Sequence, residues 1–569
     1  MKNVIIIEID ALMPSRLGLD KSTSYIAPTI HTLAKSSLNC TNTFSAGNPT
    51  EFALPGLFAS SYLLDYGGYR NGISNNPITF AEVLKNNGYQ TCSFLNVFRP
   101  IMDGYDRGFD QSYKTVDFQV LEKNLMNTAN WYKEHFKNEN SIISKEKCIE
   151  DMIDHYEEYL ENVLLYCKNF DDYMKDSIIP KSSIFNNIDF KFIKKEILKD
   201  KKIFSRNKKN YIKNFLNLGE LGITQISKKI VQTRYSFIKT TKLDLKVKFQ
   251  LIINSFLMWK KSASFKSAKN LMGTLLYIII NGRKSFITRY ESGEYTLKKF
   301  MNWVEKKYDK KNFFFTYIKL LDAHELNIYS HDIQSKNTTS DEIKNISNLF
   351  KNIRRDKNYV GNVLYDCAIN YSDRVVKKLI NFLEEKKLRN NTIIVITADH
   401  GGQYPNLPIR NNITHRVNNF FDELYKIPLI INCKEIKAQD YKGLVSSVDI
   451  NSTLLDMLNI KIPPSFRGKS IINKDFKRDY VVFENQGRGP CDLENKPIRI
   501  CVRSKLQKII YEFKKYENKS GKVVGAFDLI NDPEEYYNLS NNELFIKKCN
   551  PLIQIASKRI NDIFYSKKS

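Results

Sequence analysis

The sequence predicts an α/β fold in which a mostly parallel sheet is flanked by helices. Two observations support this prediction: continuous β-branched runs end in acidic residues, and helical patterns alternate with those runs along the chain. The first run, NVIIIEID at 3–10, has the composition of a strand buried on both faces. NTIIVITADHGG, at 391–402, repeats that form late in the chain.

The other elements of this α/β pattern follow in order. APTIHTLAKSS predicts a short helix, and TFAEVLKNNGYQTCSFL predicts a helix, a glycine turn and a strand. NFFFTYIKLLDAHE predicts a strand ending in Asp and His, and YDCAINYSDRVVKKLINFLEEKKL predicts an amphipathic helix. IPLIINC is a further strand pattern, so strands and helices alternate as a parallel sheet requires.

Changes of composition along the chain predict four segments. Residues 1–110 and 301–475 are two parts of one α/β domain, 111–300 is a basic, mainly helical insertion, and 476–569 is a C-terminal α+β subdomain with a small antiparallel sheet. Proline and glycine become sparse in the insertion, where lysine alternates with apolar residues at helical spacing.

The formal net charge is +26, and residues 181–300 hold 27 Lys and Arg residues against 7 Asp and Glu residues. This concentration predicts contact with a polyanion or with an anionic membrane surface as a peripheral protein. KVKFQLIINSFLMWKKSASFKSAKNLM, at 246–272, has the pattern of a basic amphipathic helix. A helical cap with a solvated lysine face is the alternative, and the lack of a recognisable nucleic-acid module argues against nucleic acid as a partner.

The cysteines indicate a reducing compartment. The nine cysteines are scattered and form no CxxC pair, which argues against a disulfide framework or a zinc ribbon. The start, MKNVIIIEID, has too short an apolar run for a secretory leader, and the most apolar later run, LMGTLLYIII, is about half as long as a membrane span. We therefore expect a cytoplasmic protein that can act at the inner face of a membrane.

Two of the predicted strands end in a carboxylate. Asp10 follows the first strand, and Asp399 with His400 follows NTIIVIT. Ligands in parallel α/β sheets bind beyond the carboxyl ends of the strands, so these three side chains are expected to converge on one divalent cation. The alternative role for either acid alone is that of a helix N-cap.

A hydroxyl and a second polar group complete the candidate site. Thr50 precedes the apolar helix pattern EFALPGLFAS, where it can be an N-cap or a nucleophile. Asp322 and His324 follow a third strand, and His415 lies in a loop before KIPLII. A hydroxyl beside a metal ion favours transfer of a phosphoryl or sulfuryl group.

An ordered series of segments resembles the sulfatase-like branch of the alkaline phosphatase superfamily. The resemblance covers residues 1–110 and 290–545. It rests on the segments NVIIIEIDALMPSRLG, APTIHTLAKSSLNCTNTFSAGNPT, FFFTYIKLLDAHE, NTIIVITADHG, KIPLII, SSVDINSTLLDMLNIKIPPSFRGKSI and AFDLINDPEEYYNL. It implies an alkaline-phosphatase-like fold and a divalent metal, Zn²⁺, Mn²⁺, Ca²⁺ or Mg²⁺, at one site, with a second site as a further option.

The resemblance also implies roles for single positions. Asp10, Asp399 and His400 match metal ligands, and Thr50 falls at the position of the nucleophile, beside the metal. His324 matches a histidine that contacts the substrate or a second metal. The candidates for completing a second metal site are Asp322 and His415.

Two departures from the family pattern direct the expected chemistry from sulfate to phosphate. Sulfatases carry a Cys or Ser, followed by Pro at +2 and Arg at +4, that is converted to formylglycine, whereas Phe52 and Leu54 follow Thr50 here. Ala11 also follows Asp10 where the family usually has a second acid. These features resemble the threonine-nucleophile members: phosphoethanolamine and phosphoglycerol transferases and nucleotide phosphodiesterases.

We therefore expect an enzyme that cleaves or transfers a phosphodiester-linked group through a covalent Thr50 intermediate. The implied substrate is an anionic small molecule, glycan, lipid or nucleotide-linked compound. One alternative is a sulfuric-ester hydrolase in the literal sense. The other is a non-catalytic protein that binds a polyanion on the same fold.

Overall fold

The computed structural model of the chain contains a nine-stranded, mostly parallel sheet and a separate four-stranded antiparallel sheet. It describes residues 2–18, 24–67, 72–96, 104–115, 118–176, 190–218, 292–325, 345, 348–349, 351–353, 355–356, 363–402, 419–487, 491–517 and 521–565. The basic stretch at 246–272 and the predicted site residue His415 lie outside these described residues.

The large sheet confirms the predicted α/β fold class. Its strands are β1 (Asn3–Ile9), β2 (Leu38–Phe44), β3 (Gln90–Asn96), β4 (Gln111–Thr115), β5 (Phe314–Leu320), β6 (Thr392–Thr397), β7 (Lys426–Ile427), β8 (Leu429–Asn432) and β9 (Gln439–Ser446). They run in the order β4-β3-β5-β1-β6-β8-β2-β7, with β9 paired to β2. The five strands from β4 to β6 are mutually parallel, and β8 is antiparallel to both of its neighbours.

Fourteen α-helices lie in the described part of the chain. They are α1 (Pro28–Ala34), α2 (Thr50–Ala59), α3 (Phe80–Asn86), α4 (Phe118–Lys137), α5 (Lys145–Asp176), α6 (Phe190–Arg206), α7 (Lys208–Leu218), α8 (Gly293–Lys306), α9 (Asp322–Glu325), α10 (Val363–Glu385), α11 (Asp422–Tyr425), α12 (Asp449–Met457), α13 (Glu543–Lys548) and α14 (Asn550–Tyr565). The predicted helices at 27–37, 79–87, 51–60 and 365–388 correspond to α1, α3, α2 and α10.

The central strand β1 is buried on both faces, as its composition predicts. Ile5 and Ile7 contribute to a core shared with α8 and α10, while Val4 and Ile6 contribute to a second core shared with α2, α3 and α12. Successive side chains of a strand point to opposite faces, so even-numbered positions of β1 face α2. Glu8 therefore lies on the α2 side of the sheet.

The insertion contains a helical core of its own. α4, α5, α6 and α7 enclose a cluster that includes Tyr156, Ile197 and Phe215, and the buried Asp200 accepts a hydrogen bond from Tyr211 Oη at 2.7 Å. Two elements inside the predicted range 111–300 pack with the large sheet instead. β4 forms its edge beside β3, and α8 covers one face with Phe300 and Trp303.

The C-terminal subdomain is an antiparallel sheet covered by a helix. Its strands are β10 (Tyr480–Asn485), β11 (Ile498–Ser504), β12 (Gln507–Phe513) and β13 (Lys522–Asp528), in that order. Apolar side chains of β11, β12 and α14 pack together, and Phe52 of α2 lies in the same cluster. Helix α2 is thus held between the large sheet and the C-terminal sheet.

Two further predictions can be compared with the structure. All nine cysteines lie within the described residues and are unpaired, and eight of them are buried. None of the helices in the described ranges has both the length and the apolar character that crossing a bilayer requires.

Candidate active site

The carboxyl ends of β1 and β6 bring together the three residues predicted to bind metal. Asp10 directly follows β1, and Asp399 and His400 follow the neighbouring strand β6. One ligand atom from each residue lies within 4.8 Å of the others, and all three side chains are buried. His400 Nε2 is 3.8 Å from Asp10 Oδ1 and 3.7 Å from Asp399 Oδ2. The three side chains therefore lie together at this edge of the sheet, and their role as metal ligands stays a prediction.

Thr50 joins this cluster from the first turn of α2. Its hydroxyl oxygen lies 3.2 Å from His400 Nε2 and 3.4 Å from Asp10 Oδ2. Pro49 occupies the N-cap position, and no side chain caps the helix, so Thr50 is the first helical residue and not the cap. The hydroxyl therefore points at the acid–imidazole cluster from the positive end of a helix dipole.

The backbone around His400 fixes its tautomer. Nδ1 lies 2.6 Å from the carbonyl oxygen of Gly401, which can only accept a hydrogen bond, so Nδ1 carries the proton. Nε2 is then the ring nitrogen left to bind a cation, and it faces the Thr50 hydroxyl. Gly401 itself has no room for a side chain, because a Cβ there would lie 2.0 Å from the carbonyl oxygen of Glu423.

The ammonium group of Lys319, in β5, lies next to the carboxylates of this cluster. Its ammonium nitrogen is 2.9 Å from Asp10 Oδ2 and 3.1 Å from Asp399 Oδ2, and it also forms an ion pair with Glu8. The second carboxylate oxygen of Glu8 accepts a hydrogen bond from Tyr317 Oη. Lys319 and Glu8 are adjacent in register on β5 and β1, and both are buried.

Burial and mutual charge shift the pKa values of this group. Burial raises the pKa of Glu8 to about 7, aided by Asp399 and Asp10 and opposed by Lys319. For Lys319, burial is outweighed by Asp10, Asp399 and Glu8, so its pKa is well above the usual range. For Asp399, burial is outweighed by His400, Lys319 and hydrogen bonds, and its pKa is well below the usual range. The ammonium of Lys319 and the carboxylate of Asp399 therefore stay charged at neutral pH.

A second layer of contacts holds the loop that follows β1. Ala11 adopts φ 58° and donates its N–H to Asp399 Oδ1 at 3.2 Å. Tyr365 Oη donates to the carbonyl oxygen of Ala11 at 2.7 Å and accepts from the N–H of Met13 at 3.0 Å. Helix α10 thus anchors the backbone from Ala11 to Met13, and Asp399 holds the N–H of Ala11, so Asp10 is fixed relative to Asp399.

Asp322 and His324 are not part of this cluster, and His415 lies outside the described residues. Asp322 accepts two hydrogen bonds from the N–H of Gly293, at 3.0 and 3.1 Å, at the N-terminus of α8. A Cβ at Gly293 would lie 2.4 Å from this carboxylate. His324 is half-buried in α9, directly after β5. Within the described residues, Asp10, Asp399 and His400 form the one group of this kind.

Sequence reasoning did not identify Glu8 and Tyr317 as members of the site. A signal for Glu8 was present, because a carboxylate inside the run IIIEID must be buried with the strand and needs a buried cation. That cation is Lys319, in FFFTYIKL. The parallel pairing of β1 with β5 places Lys319 directly beside Glu8.

The side chains present fit a divalent cation. Asp10 Oδ1 is buried and accepts no hydrogen bond in the described structure, so it is an oxygen without a partner. Two carboxylates and an imidazole are suitable donors for a hard or borderline ion. Three carboxylates (Glu8, Asp10 and Asp399) and the single ammonium of Lys319 leave two negative charges when ionised, which a divalent cation would balance.

Comparison with known proteins identifies the family. A family model described as Sulfatase matches residues 2–166 and 232–460, which is more than half of the chain. The chain belongs to the sulfatase family. This confirms the resemblance to the sulfatase-like branch of the alkaline phosphatase superfamily.

Individual relatives of this sulfatase-family chain match it only in part. An N-acetylglucosamine-6-O-sulfatase of Bacteroides thetaiotaomicron is 25% identical over 205 residues, which is 33% of each chain. Arylsulfatase K of Canis lupus familiaris is 24% identical over 234 residues, which is 39% of each chain. A 2,3-bisphosphoglycerate-independent phosphoglycerate mutase of Wolbachia pipientis is 31% identical over 116 residues, 20% of this chain and 21% of that protein. The chain thus spans well under half the length of these relatives.

Solved structures agree on the fold. Phosphonate monoester hydrolases of Silicibacter pomeroyi and Agrobacterium radiobacter superpose with TM-scores of 0.52 and 0.51 at 12% sequence identity. The first covers 98% of this chain and 95% of its own, and the second covers 100% and 96%. At this identity the likeness concerns the fold alone.

Proposed function

We propose that this member of the sulfatase family is a metal-dependent hydrolase or transferase that acts on a phosphoric ester through Thr50. The observation that carries the proposal is the Thr50 hydroxyl at the N-terminus of α2, 3.2 Å from His400 Nε2 and 3.4 Å from Asp10 Oδ2. A hydroxyl next to a proton acceptor and a candidate metal ligand has the arrangement of an activated nucleophile.

Asp10, Asp399 and His400 would hold the metal ion. When bound, such an ion acts as a Lewis acid that polarises a phosphoryl or sulfuryl oxygen and favours the ionised form of a nearby hydroxyl. Lys319 holds Asp10 Oδ2 and Asp399 Oδ2 in place through its ammonium group. The three ligands are therefore oriented before any ion or substrate arrives.

The chain's own groups can complete the transfer. The Thr50 proton passes to Asp10 Oδ2, to which the hydroxyl already donates, as Thr50 Oγ1 forms a bond to phosphorus. The bond from phosphorus to the leaving oxygen breaks, and that oxygen takes up a proton from water. Water, or an acceptor hydroxyl, then attacks phosphorus and breaks the bond to Thr50, which regains its proton. The positive end of the α2 dipole, at Thr50, favours the negative charge that develops.

A sulfuric ester is the second candidate substrate, and two of the three named relatives favour it, because they are sulfatases. The residue at position 50 favours phosphate. Conversion to formylglycine starts from Cys or Ser, and Thr50 is followed by Phe52 and Leu54 in place of Pro and Arg. An anionic glycan, lipid or nucleotide-linked compound is the substrate class proposed in either case.

Intact-protein mass spectrometry can test the proposal. The protein is incubated with Mn²⁺ or Zn²⁺ and a panel of phosphodiesters and phosphomonoesters, and the adduct is mapped by peptide sequencing. We expect a phosphoryl-type adduct on Thr50, absent from Thr50→Ala and present in Thr32→Ala, which changes an exposed threonine of α1. Turnover of an aryl sulfate with no reaction of any phosphoester would overturn the phosphate assignment and support the sulfate ester.

A further inference from the structure

The outer surface of α6 and α7 is strongly basic. Residues 190–218 contain ten lysines and arginines and two acidic residues, Glu196 and Asp200. Asp200 is buried and its carboxylate accepts hydrogen bonds from Tyr156 and Tyr211, so it faces away from this surface. The basic face is formed by exposed residues of the two helices: Lys191, Lys194, Lys195, Lys199, Lys202, Arg206, Lys208, Lys209 and Lys213.

The helical periodicity of α6 places apolar residues on one side of the helix and lysines on the other. Ile193, Ile197 and Phe204 point into the helical core of the insertion, and they recur at helical spacing. The lysines occupy the opposite side of the helix. The apolar inner face of α6 explains why the helix packs onto the core. It gives no reason for the outer face of the helix to carry many lysines and few acidic residues. Like charges at such spacing repel each other and lower the stability of the helix.

Two aliphatic side chains lie among these cations. Leu198 is 47% exposed and Ile203 is 49% exposed, and both rank among the large apolar side chains left open to solvent. On a helical wheel Leu198 falls between Lys191 and Lys194, within the basic stripe. A surface that binds only a charged polymer gains nothing from exposed aliphatic groups, whereas an interfacial helix inserts such groups between lipid headgroups.

We propose that the α6–α7 basic face docks on an anionic lipid bilayer, with the lysines against the headgroups and Leu198 and Ile203 inserted between them. Charge complementarity supplies the attraction. An anionic lipid surface has a negative potential, and each lysine close to it strengthens binding. The inference does not rest on the proposed reaction, because none of these side chains contributes to the Asp10–Thr50–His400 cluster.

Vesicle flotation with the full-length protein can test this docking. Wild type is expected to float with vesicles of phosphatidylcholine and phosphatidylglycerol and to remain unbound with phosphatidylcholine alone. The variant Lys195→Gln/Lys199→Gln/Lys202→Gln should bind the anionic vesicles roughly a hundredfold more weakly. The matched control Lys434→Gln/Lys437→Gln/Lys474→Gln, which changes three exposed lysines outside the insertion, should bind like wild type. Unaltered melting temperatures establish that each variant is folded.

A second variant separates the bilayer from a soluble polyanion. Leu198→Ser/Ile203→Ser keeps every charge, so binding to immobilised heparin should be unchanged while binding to anionic vesicles falls about tenfold or more. Equal binding of wild type and both variants to anionic vesicles would overturn the proposal. Binding to heparin with no flotation of wild type would also overturn it and would assign the α6–α7 basic face to a polyanion.

Discussion

The Thr50 hydroxyl oxygen lies 3.2 Å from Nε2 of His400, although the two residues are 350 positions apart in the chain. The two residues are far apart in the sequence, so only the tertiary structure brings them together. The contact exists because α2 begins at the same edge of the sheet where β6 ends. The proposed reaction depends on this contact, and so does the first prediction.

Replacing Thr50 should remove the reaction without unfolding the protein. Thr50→Ala is expected to lower kcat/KM by about 10³-fold or more, because the nucleophile is lost. Thr50→Ser keeps the hydroxyl and should stay within about tenfold of wild type. Steady-state kinetics with the substrate found in the adduct screen provide the measurement. Activity of Thr50→Ala equal to that of Thr32→Ala would rule out Thr50 as the nucleophile.

Asp399→Asn should weaken metal binding. It removes one charged ligand from the Asp10–Asp399–His400 cluster, and we expect the Kd for Mn²⁺, measured by titration calorimetry, to rise about a hundredfold. Added metal should raise the melting temperature of wild type because it binds the folded state, and the increase should shrink in Asp399→Asn. The exposed Asp475→Asn serves as the control. Identical calorimetric curves for wild type and Asp399→Asn would place the metal elsewhere.

Lys319→Met should make stability depend on metal. The substitution leaves Glu8, Asp10 and Asp399 buried without their shared ammonium, which is expected to cost about 3–5 kcal/mol of unfolding free energy. A divalent cation can replace part of the lost positive charge, so added Mn²⁺ should raise the melting temperature of Lys319→Met more than that of wild type. Chemical denaturation with and without EDTA measures the loss of unfolding free energy and the part of it that metal restores. Equal stability of the variant and wild type in EDTA would contradict the role given to Lys319.

The ion pairs of Arg559 should be important for stability. Arg559 of α14 contacts Asp65 at 2.8 Å and also pairs with Glu484 of β10, and all three side chains are buried. Arg559→Met leaves two buried carboxylates short of a partner and should lower the unfolding free energy by about 3–5 kcal/mol. Lys515→Gln, which breaks an exposed pair with Glu494 in the same subdomain, should cost less than about 1 kcal/mol. Comparable losses in the two variants would refute the buried-network interpretation.

Lys496 should make stability rise with pH in alkaline solution. Burial lowers its pKa to about 8, against the pull of Cys491 and Asp492, and its ammonium lies 5.6 Å from the ring centroid of Trp131. Between about pH 8 and the usual lysine pKa of about 10.4, the unfolded state binds more protons than the folded state, so unfolding free energy increases with pH.

The variant Lys496→Met isolates this effect. The difference in unfolding free energy between variant and wild type should be largest below pH 8, by up to roughly 3 kcal/mol in favour of the variant, and should shrink as pH rises toward 10. Urea denaturation at several pH values gives both curves. A difference that does not change with pH would show that Lys496 titrates normally.

The central part of the fold and the main cluster were predictable from the sequence, and the reason is physical. β1, β5 and β6 are buried on both faces, so they are continuous β-branched or aromatic runs that few other structures tolerate. The rule that ligands bind at the carboxyl ends of parallel strands then places Asp10 beside Asp399 and His400.

Other features depend on partners that the local sequence does not contain. β2 (LNCTNTF) and β9 (QDYKGLVS) are rich in polar residues, and they are strands because they pair with each other. Asp322 has the position of a metal ligand at the end of β5, yet its carboxylate accepts hydrogen bonds from Gly293, 29 positions earlier. α8 begins beside the end of β5 only in the tertiary structure, so the sequence pattern does not predict this contact.

The position of α2 between the two sheets has a consequence for biosynthesis. Phe52, two residues after Thr50, packs in a cluster that includes Ile498, Leu552 and Ile563. During translation, the nucleophile helix leaves the ribosome about five hundred residues before the last of these partners. Its final environment can therefore form only once α14 has emerged. Nascent chains that lack α14 should form the strands that precede Asp10 and Asp399 before Thr50 reaches its final position.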